Sequence, residues 1–429
     1  MNASTGTSAP DDSRALALHL LHGVLARGAI LAELEGAPPV ADAAPATKAR
    51  AGRLARATLR HMGQADAALK PLLHKPPRAD IRDLLRLATV ELLVEGEAPH
   101  GVVSDAVTRA RRRQSKAAGM VNAVLRRVAD CDRDTFAALP PRRLPNWLRG
   151  RLSAAYGNAR VARMEALFAT IPPLDLTLRA GQDAADWADR LGAEVLPTGS
   201  LRLARAGQVS ALEGYARGTW WVQDAAAALP ARILAAQPGE RVLDLCSAPG
   251  GKTLQLADTG AAVTSLDISG PRLERVRDNL ARTGLTADLV TADALHWQPD
   301  APFDAILLDA PCTATGTLRR HPDLPFAKGT DALKSLVPLQ RELLDRAAGW
   351  LKPGGRLVVC TCSLLAEEGE ALRDDALTRH AHLSPDASVD APGLDPSWAS
   401  ADGAWRITPE SWDARGGIDG FYIAAFRAA

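Results

Sequence analysis

From Ser13 onward, apolar side chains recur every three or four residues, at Leu16, Leu20, Leu21, Val24 and Leu25, the spacing of one buried helix face. A proline-rich stretch over 37–45 interrupts the pattern. Helical periodicity resumes from about Thr47, which reads as an N-cap, and runs to Leu73. Past the Lys75-Pro76-Pro77 turn, Asp80 reads as the cap of a helix with the stripe Ile81, Leu84, Leu85, Ala88, Val90 and Leu92. Two further helices are predicted near 101–113 and 117–128, so residues 13–135 are expected to form an all-α bundle. Residues 1–12 carry no such pattern and read as a disordered tail.

Pro140-Pro141 and Pro145 mark a linker, and 146–170 reads as one more helix. Short β-like pieces (LDLTLRA, AEVLP, SLRLAR) around a helix at 183–191 predict a small α+β subdomain over 145–220. The remaining domain, 221–429, turns to strand–helix alternation past Pro238-Gly239. Its strands are RVLDLC, AVTSLDIS, ADLVTAD, FDAILLDAP and RLVVCTCS, with GFYIAAF near the end. Nearly continuous apolar strands imply a buried parallel sheet covered on both faces, an α/β Rossmann-like domain. The loop-rich stretch 392–416 takes no element.

Composition adds little until the chain is divided. With 429 residues, 47% hydrophobic and 24% charged, it fits a globular protein of roughly two to three domains. No apolar run approaches the ~20 residues that span a bilayer, and the N-terminus shows no export pattern, so a cytoplasmic protein without a membrane partner is expected. Five cysteines are too few and too oddly counted for a disulfide framework, and read as reduced thiols. The net charge of +1 hides a split: up to Thr170, 26 Lys+Arg face 16 Asp+Glu, while beyond it 25 face 34. The basic part suggests a polyanion-binding module, with Arg109, Arg111, Arg112, Arg113, Lys116, Arg126 and Arg127 clustered near the end of the bundle.

The chemistry sits at strand ends. RVLDLC runs into Ser247-Ala248-Pro249-Gly250-Gly251-Lys252-Thr253, a glycine turn that lets backbone N–H groups approach a ligand closely. It is neither a Walker loop nor a GxGxxG, which counts against nucleoside triphosphate and NAD. Asp267 ends the next strand, where a carboxylate can bind ribose hydroxyls; Asp293 and Asp309 end the following two. Each could instead be the N-cap of the next helix, but three in series beside a glycine turn favour a ligand. Cys312 and Cys362 lie just past adjacent strands and look like a nucleophile and its helper. Cys131 and Cys360 read as structural. The spacing of Cys246, Cys312, Cys360 and Cys362 matches no zinc knuckle, so no metal site is expected.

The motifs CSAPGGK, DAPCTATG with the following RRHPD, and TCSLLAEE resemble those of the Sun/Fmu family of RNA 5-methylcytosine methyltransferases. Val222-Gln223-Asp224 is similar to a short motif that precedes the Rossmann-like part in that family, and the resemblance spans about residues 145–427. The segment GMVNAVLR, from Gly119 to Arg126, is similar to the RNA-binding fold of the antitermination factor NusB. Together they imply a NusB-like bundle, a small α+β subdomain and a class I methyltransferase domain. They also imply S-adenosylmethionine as cofactor and 16S rRNA, free or in an early small-subunit assembly intermediate, as the partner of a monomeric enzyme.

The resemblance implies residue roles too. Cys362 is the nucleophile and Cys312 assists product release, with Asp309 at the base edge beside the cofactor and Lys252 a further catalytic residue. Cys246, Ser247, Ala248, Pro249, Gly250, Gly251 and Lys252 hold the methionine end, Asp267 the ribose and Asp293 the adenine, and Arg272 also binds the cofactor. Arg319 and Arg320 join the basic residues of the bundle as RNA contacts. Departures from the family pattern are Ser247 for alanine, Thr313 for serine, Gly369 where Asn follows the Glu pair, and Ala180 in an LRxN-like strand. The rivals are a DNA cytosine methyltransferase using Pro311-Cys312, an enzyme acting on tRNA or 23S rRNA, and a non-catalytic RNA-binding protein. The extra TCS cysteine and the NusB-like bundle favour RNA.

Overall fold

The computed structural model describes residues 12–389 and 391–429, in two compact units: 12–170 with Arg320–Gly329, and Ile171–Arg319 with Thr330–Ala429. The tail expected over 1–12 lies outside the described residues except for Asp12.

Among the described residues, ten α-helices form the main part of the first unit. The first is α1 (Ser13–Arg27), capped by the Asp12 carboxylate, which accepts from the Ala15 N–H at 2.9 Å. It ends at Gly28, whose φ of 65° suits the left-handed turn closing the last carbonyls. After α2 (Leu31–Glu35), α3 (Pro45–Arg60) starts earlier than expected. Proline fits its first turn, where no N–H is needed, and Thr47 lies inside the helix and buried instead of capping it. The single helix expected up to Leu73 breaks at His61, where α4 (Met62–Leu69) begins. In α5 (Ala79–Val90) the N-cap is Arg78, and Asp80 sits in the first turn, where its charge still opposes the helix dipole. Then come α6 (Pro99–Arg113), α7 (Ala118–Ala129) and α8 (Arg133–Ala137). The helix expected over 146–170 is two, α9 (Asn146–Tyr156) and α10 (Asn158–Phe168), separated by Gly157 at φ 80°. Leu20, Leu21, Leu54, Ile81, Leu85, Val121 and Leu125 fill the core. Arg320–Gly329 packs into this unit through Asp323, whose carboxylate accepts from the Leu31 N–H at 2.9 Å, and through Phe326 beneath the Arg142 guanidinium.

The second unit opens with a four-stranded antiparallel sheet of β1 (Leu174–Leu178), β2 (Glu194–Val195), β3 (Leu201–Leu203) and β4 (Trp220–Val222), in the order β2-β3-β1-β4. Helix α11 (Ala184–Leu191) covers it, with Leu176, Trp187, Leu201 and Trp220 between. After α12 (Ala225–Leu234) the larger sheet begins: β5 (Arg241–Leu245), α13 (Gly251–Asp258), β6 (Ala262–Asp267), α14 (Gly270–Thr283), β7 (Asp288–Thr291), β8 (Phe303–Asp309) and β9 (Leu351–Thr361). It continues with β10 (Leu383–Pro385), β11 (Ala399–Ala401), β12 (Ala404–Ile407) and β13 (Phe421–Ala428). The order is β11-β12-β13-β9-β8-β5-β6-β7, with β10 paired to β13. Strands β5 to β9 are parallel to their neighbours in this row, as their apolar runs predict, but β13, β12 and β11 add on antiparallel. The unplaced stretch 392–416 thus contributes two strands. Strand order reverses between β5 and β8, the switch point where open α/β sheets bind ligands.

Candidate active site

The turn after β5 is held from three sides. Cys246 adopts a φ of 62° and Gly250 one of 99°, and a Cβ on Gly250 would lie 2.9 Å from Val276 Cγ1. The Ser247 hydroxyl accepts from Ser265 Oγ at 2.7 Å, which gives this departure from the family's alanine a local partner. Beneath it, Asp244 is fully buried and accepts from the Thr253 hydroxyl at 2.6 Å. Burial pushes the Asp244 carboxyl up to about 7, against the pull of the Thr253 hydrogen bond. Burial likewise raises the Cys246 thiol, so this cysteine stays protonated.

Asp267, at the end of β6, accepts from the Ala248 N–H at 3.1 Å through Oδ2 and from the Ser269 N–H at 2.9 Å through Oδ1. A carboxylate has about four acceptor positions, so two backbone bonds leave room for ligand hydroxyls. Arg272 reaches the same corner, bonding the Ala248 carbonyl, with its guanidinium 3.6 Å from Asp267. Asp293, just past β7, is partly exposed; the Leu295 N–H, and then the His296 ring, hold its carboxyl below the usual range. Ile268 between these acids is 71% exposed, an apolar face that sequence reasoning missed. Its only signal was an isoleucine directly after a strand-ending acid.

Across the switch point, Lys252 Nζ donates to Asp309 Oδ2 at 2.7 Å. Burial works against the ammonium, but the Asp309 carboxylate beside it outweighs that and raises its pKa, so it stays charged. The Cys360 thiol faces Asp309 Oδ1 at 3.5 Å from inside β9 and, pushed up by burial, remains a thiol.

Cys312 and Cys362 meet with their sulfurs 3.5 Å apart. Cys362 is partly exposed and Cys312 is buried. The hydrogen bond with Cys362, then burial, hold Cys312 well above the ordinary thiol range. Glu368, fully buried behind them, was also missed; its signal was the Glu pair closing TCSLLAEE. Among the described residues, no group of three His, Cys, Asp or Glu side chains could hold a metal ion.

The basic candidates separate. Arg111, Arg112, Arg113, Lys116, Arg126 and Arg127 are exposed in the first unit, and Arg111 and Arg126 line a groove of about 600 Å³ between α6 and α7. Arg109 is paired with Asp105 at 2.7 Å and Asp12 at 2.6 Å, so its charge is largely spent on its own fold. Arg319 is corrected outright. It is fully buried, with its guanidinium on Asp419 at 2.9 Å, Asp224 at 3.3 Å and the Gly416 carbonyl at 2.7 Å, so it braces the domain and cannot reach RNA. Arg320 lies in the first unit and is half-buried.

Comparison with known proteins bears on both units. Residues 231–427 match a family model described as 16S rRNA methyltransferase RsmB/F, and residues 11–130 match the NusB family. Ribosomal RNA small subunit methyltransferase B of Xanthomonas campestris pv. campestris is 36% identical over 99% of this chain and 99% of its own. The protein of that name from Pseudomonas syringae pv. tomato is 34% identical over 86% of this chain and 87% of its own. Among solved structures, a methyltransferase homolog protein from Pyrococcus horikoshii is 28% identical with a TM-score of 0.54, covering 65% of this chain and 94% of that one. NSun6 from the same organism, solved with SFG, shares the fold at 18% identity and a TM-score of 0.58, covering 67% and 98%. Among the described residues no helix is long and apolar enough to cross a membrane.

Proposed function

The chain belongs to the RsmB/F family of 16S rRNA methyltransferases, and from that premise we propose that it methylates carbon 5 of one cytosine through a Cys362–C6 bond. S-adenosylmethionine is the cofactor, and it supplies an electrophilic methyl group on a sulfonium sulfur. The residues fit it: a glycine turn that excludes a side chain at Gly250, strand-end acids at Asp267 and Asp293, and the exposed face of Ile268 for an aromatic base. In this reading residues 246–252 and Arg272 hold the methionine end, Asp267 the ribose and Asp293 the adenine.

The observation that carries the proposal is the pair of thiols at the ends of β8 and β9, 3.5 Å apart and next to the Lys252–Asp309 pair. Carbon 5 of cytosine is a weak nucleophile. Addition of the Cys362 thiolate at C6 makes the ring enamine-like, with electron density at C5. Asp309 faces the base edge, and Lys252 fixes that carboxylate in place. Once C5 carries the methyl group, solvent water takes the C5 proton, its C–H electron pair re-forms the C5–C6 double bond, and the Cys362 sulfur leaves as a thiolate, restoring the aromatic ring. Cys312, held as a thiol, donates a hydrogen bond to the departing Cys362 sulfur. The target cytosine must be unpaired or flipped out, since C6 cannot be reached within a stacked helix.

The exposed basic residues of the bundle supply the RNA contacts, and the enzyme works as a cytoplasmic monomer on free 16S rRNA or an early assembly particle. Bisulfite mapping of rRNA from a strain lacking the protein tests the assignment. One 16S cytosine should lose its protection; loss at a tRNA or 23S rRNA cytosine instead would move the substrate, and no loss anywhere would remove the activity.

A further inference from the structure

Glu368 is fully buried, and its carboxylate joins the two loops that carry the thiols. Oε1 accepts from the Thr313 N–H at 2.9 Å and from Gln340 Nε2 at 3.0 Å. Oε2 accepts from the Ser363 hydroxyl at 2.6 Å and from the Thr313 hydroxyl. Thr313 follows Cys312 and Ser363 follows Cys362, so one side chain holds the neighbour of each sulfur. The Glu368 backbone carbonyl accepts from the Thr361 hydroxyl at 2.8 Å, on the other side of Cys362. Among the described residues no basic side chain pairs with this carboxylate; all its side-chain partners are neutral donors.

A carboxylate buried without a counter-charge is costly, even with charge-assisted bonds to offset part of the cost. An apolar residue would fill the same space at less expense to stability. What it lacks is direction: acceptors aimed at fixed donors on two separate loops.

We propose that Glu368 is a positioning residue that clamps the Cys312 loop to the Cys362 loop, holding the two sulfurs at the separation that product release requires. The proposal rests on the assignment of Cys362 as nucleophile and Cys312 as the group that assists its departure. The 3.5 Å between the sulfurs is hydrogen-bond distance only while both loops keep their places. A displacement of about 1 Å at such a contact costs about 100-fold in rate.

The test compares full-length Glu368→Ala and Glu368→Gln with the unmodified enzyme and with Cys312→Ala. Glutamine keeps the shape: its oxygen still accepts from Thr313 and Gln340, and its amide can donate to hydroxyls, which accept as well as donate. The first readout is the rate of release of RNA-linked enzyme, scored on denaturing gels. The second is the rate at which N-ethylmaleimide labels Cys312 under native conditions, with Cys360 as internal control, since both are buried. Glu368→Ala should release RNA about 100-fold more slowly and label faster at Cys312 alone, while Glu368→Gln returns both toward the unmodified values. A merely structural role would speed labelling at Cys312 and Cys360 alike and leave release per folded molecule unchanged.

Unchanged release and labelling in folded Glu368→Ala would overturn the clamp, and so would a Glu368→Gln as impaired as alanine. If Glu368→Ala does not fold, Thr313→Val with Ser363→Ala removes two of the four bonds and must show the same selective exposure of Cys312; without it the clamp is overturned. If Cys312→Ala fails to retain RNA, the thiol assignment falls, and selective labelling of Cys312 alone then decides whether the clamp exists.

Discussion

The Lys252 ammonium meets the Asp309 carboxylate at 2.7 Å across the crevice where the strand order of the large sheet reverses. Lys252→Met leaves Asp309 without its cation. About a third of the Asp309 side chain meets solvent, so the loss of stability should be ~1–3 kcal/mol, below that of a fully buried pair. Methyl transfer should fall by roughly 100-fold or more, because the carboxylate is no longer fixed against the base. Filter binding should show RNA affinity nearly unchanged. Activity close to that of the unmodified enzyme would reduce the pair to a brace.

The cofactor assignment is tested by calorimetry with S-adenosylmethionine. Asp267→Ala should weaken binding by ~1–3 kcal/mol, the range for a charge-assisted hydrogen bond. Asp293→Ala should also weaken it, and Gly250→Ala should abolish it, because its φ of 99° and the Val276 side chain leave no room for a Cβ. Unchanged affinity in both aspartate variants would move the cofactor elsewhere.

Asp244 predicts a pH signature beneath the glycine turn. Its carboxyl rises from 3.8 to about 7, mainly through burial. Between those values the unfolded chain has lost this proton and the folded chain keeps it, so stability falls as pH rises through that window. Asp244→Asn removes the contribution. Denaturant unfolding at about pH 5 and about pH 8 should show the variant gaining on the unmodified protein at the higher pH. Parallel stability curves would mean that Asp244 is ionised throughout.

RNA affinity should depend steeply on salt. Replacing the exposed Arg111, Arg112 and Arg113 with glutamine should lower the slope of log affinity against log salt by about 2, if each neutralises one phosphate. Arg109→Gln should instead lower the melting temperature, since its charge is committed to Asp12 and Asp105. An unaltered slope in the triple variant would place the RNA on another face.

Local pattern explains what could be foreseen. The run FDAILLDAP gave away a buried strand, and the rule that open α/β sheets bind at their carboxyl ends singled out Asp309, Cys312 and Cys362. The break at Gly157 was hidden because helical periodicity continues on both sides, and a positive φ leaves no trace in composition. Arg319 looked like an RNA contact within RRHPD because its partners, Asp224 and Asp419, are 95 and 100 residues away. Glu368 was overlooked for the same reason, since Thr313 and Gln340 are 55 and 28 residues distant. The antiparallel addition of β12 depends on pairing with β13, which no periodicity within 392–416 records.

The two thiols offer the most direct test. Purified full-length enzyme carrying Cys312→Ala or Cys362→Ala is mixed with 16S rRNA and S-adenosylmethionine, then run on a denaturing gel. If Cys362 attacks C6 and Cys312 assists its departure, Cys312→Ala forms the covalent complex and releases it slowly, giving an RNA–protein band that survives denaturation. Cys362→Ala gives no band and no methylation. The same band in Cys362→Ala and none in Cys312→Ala would contradict the assignment and hand the nucleophilic role to Cys312, as in a DNA-type enzyme.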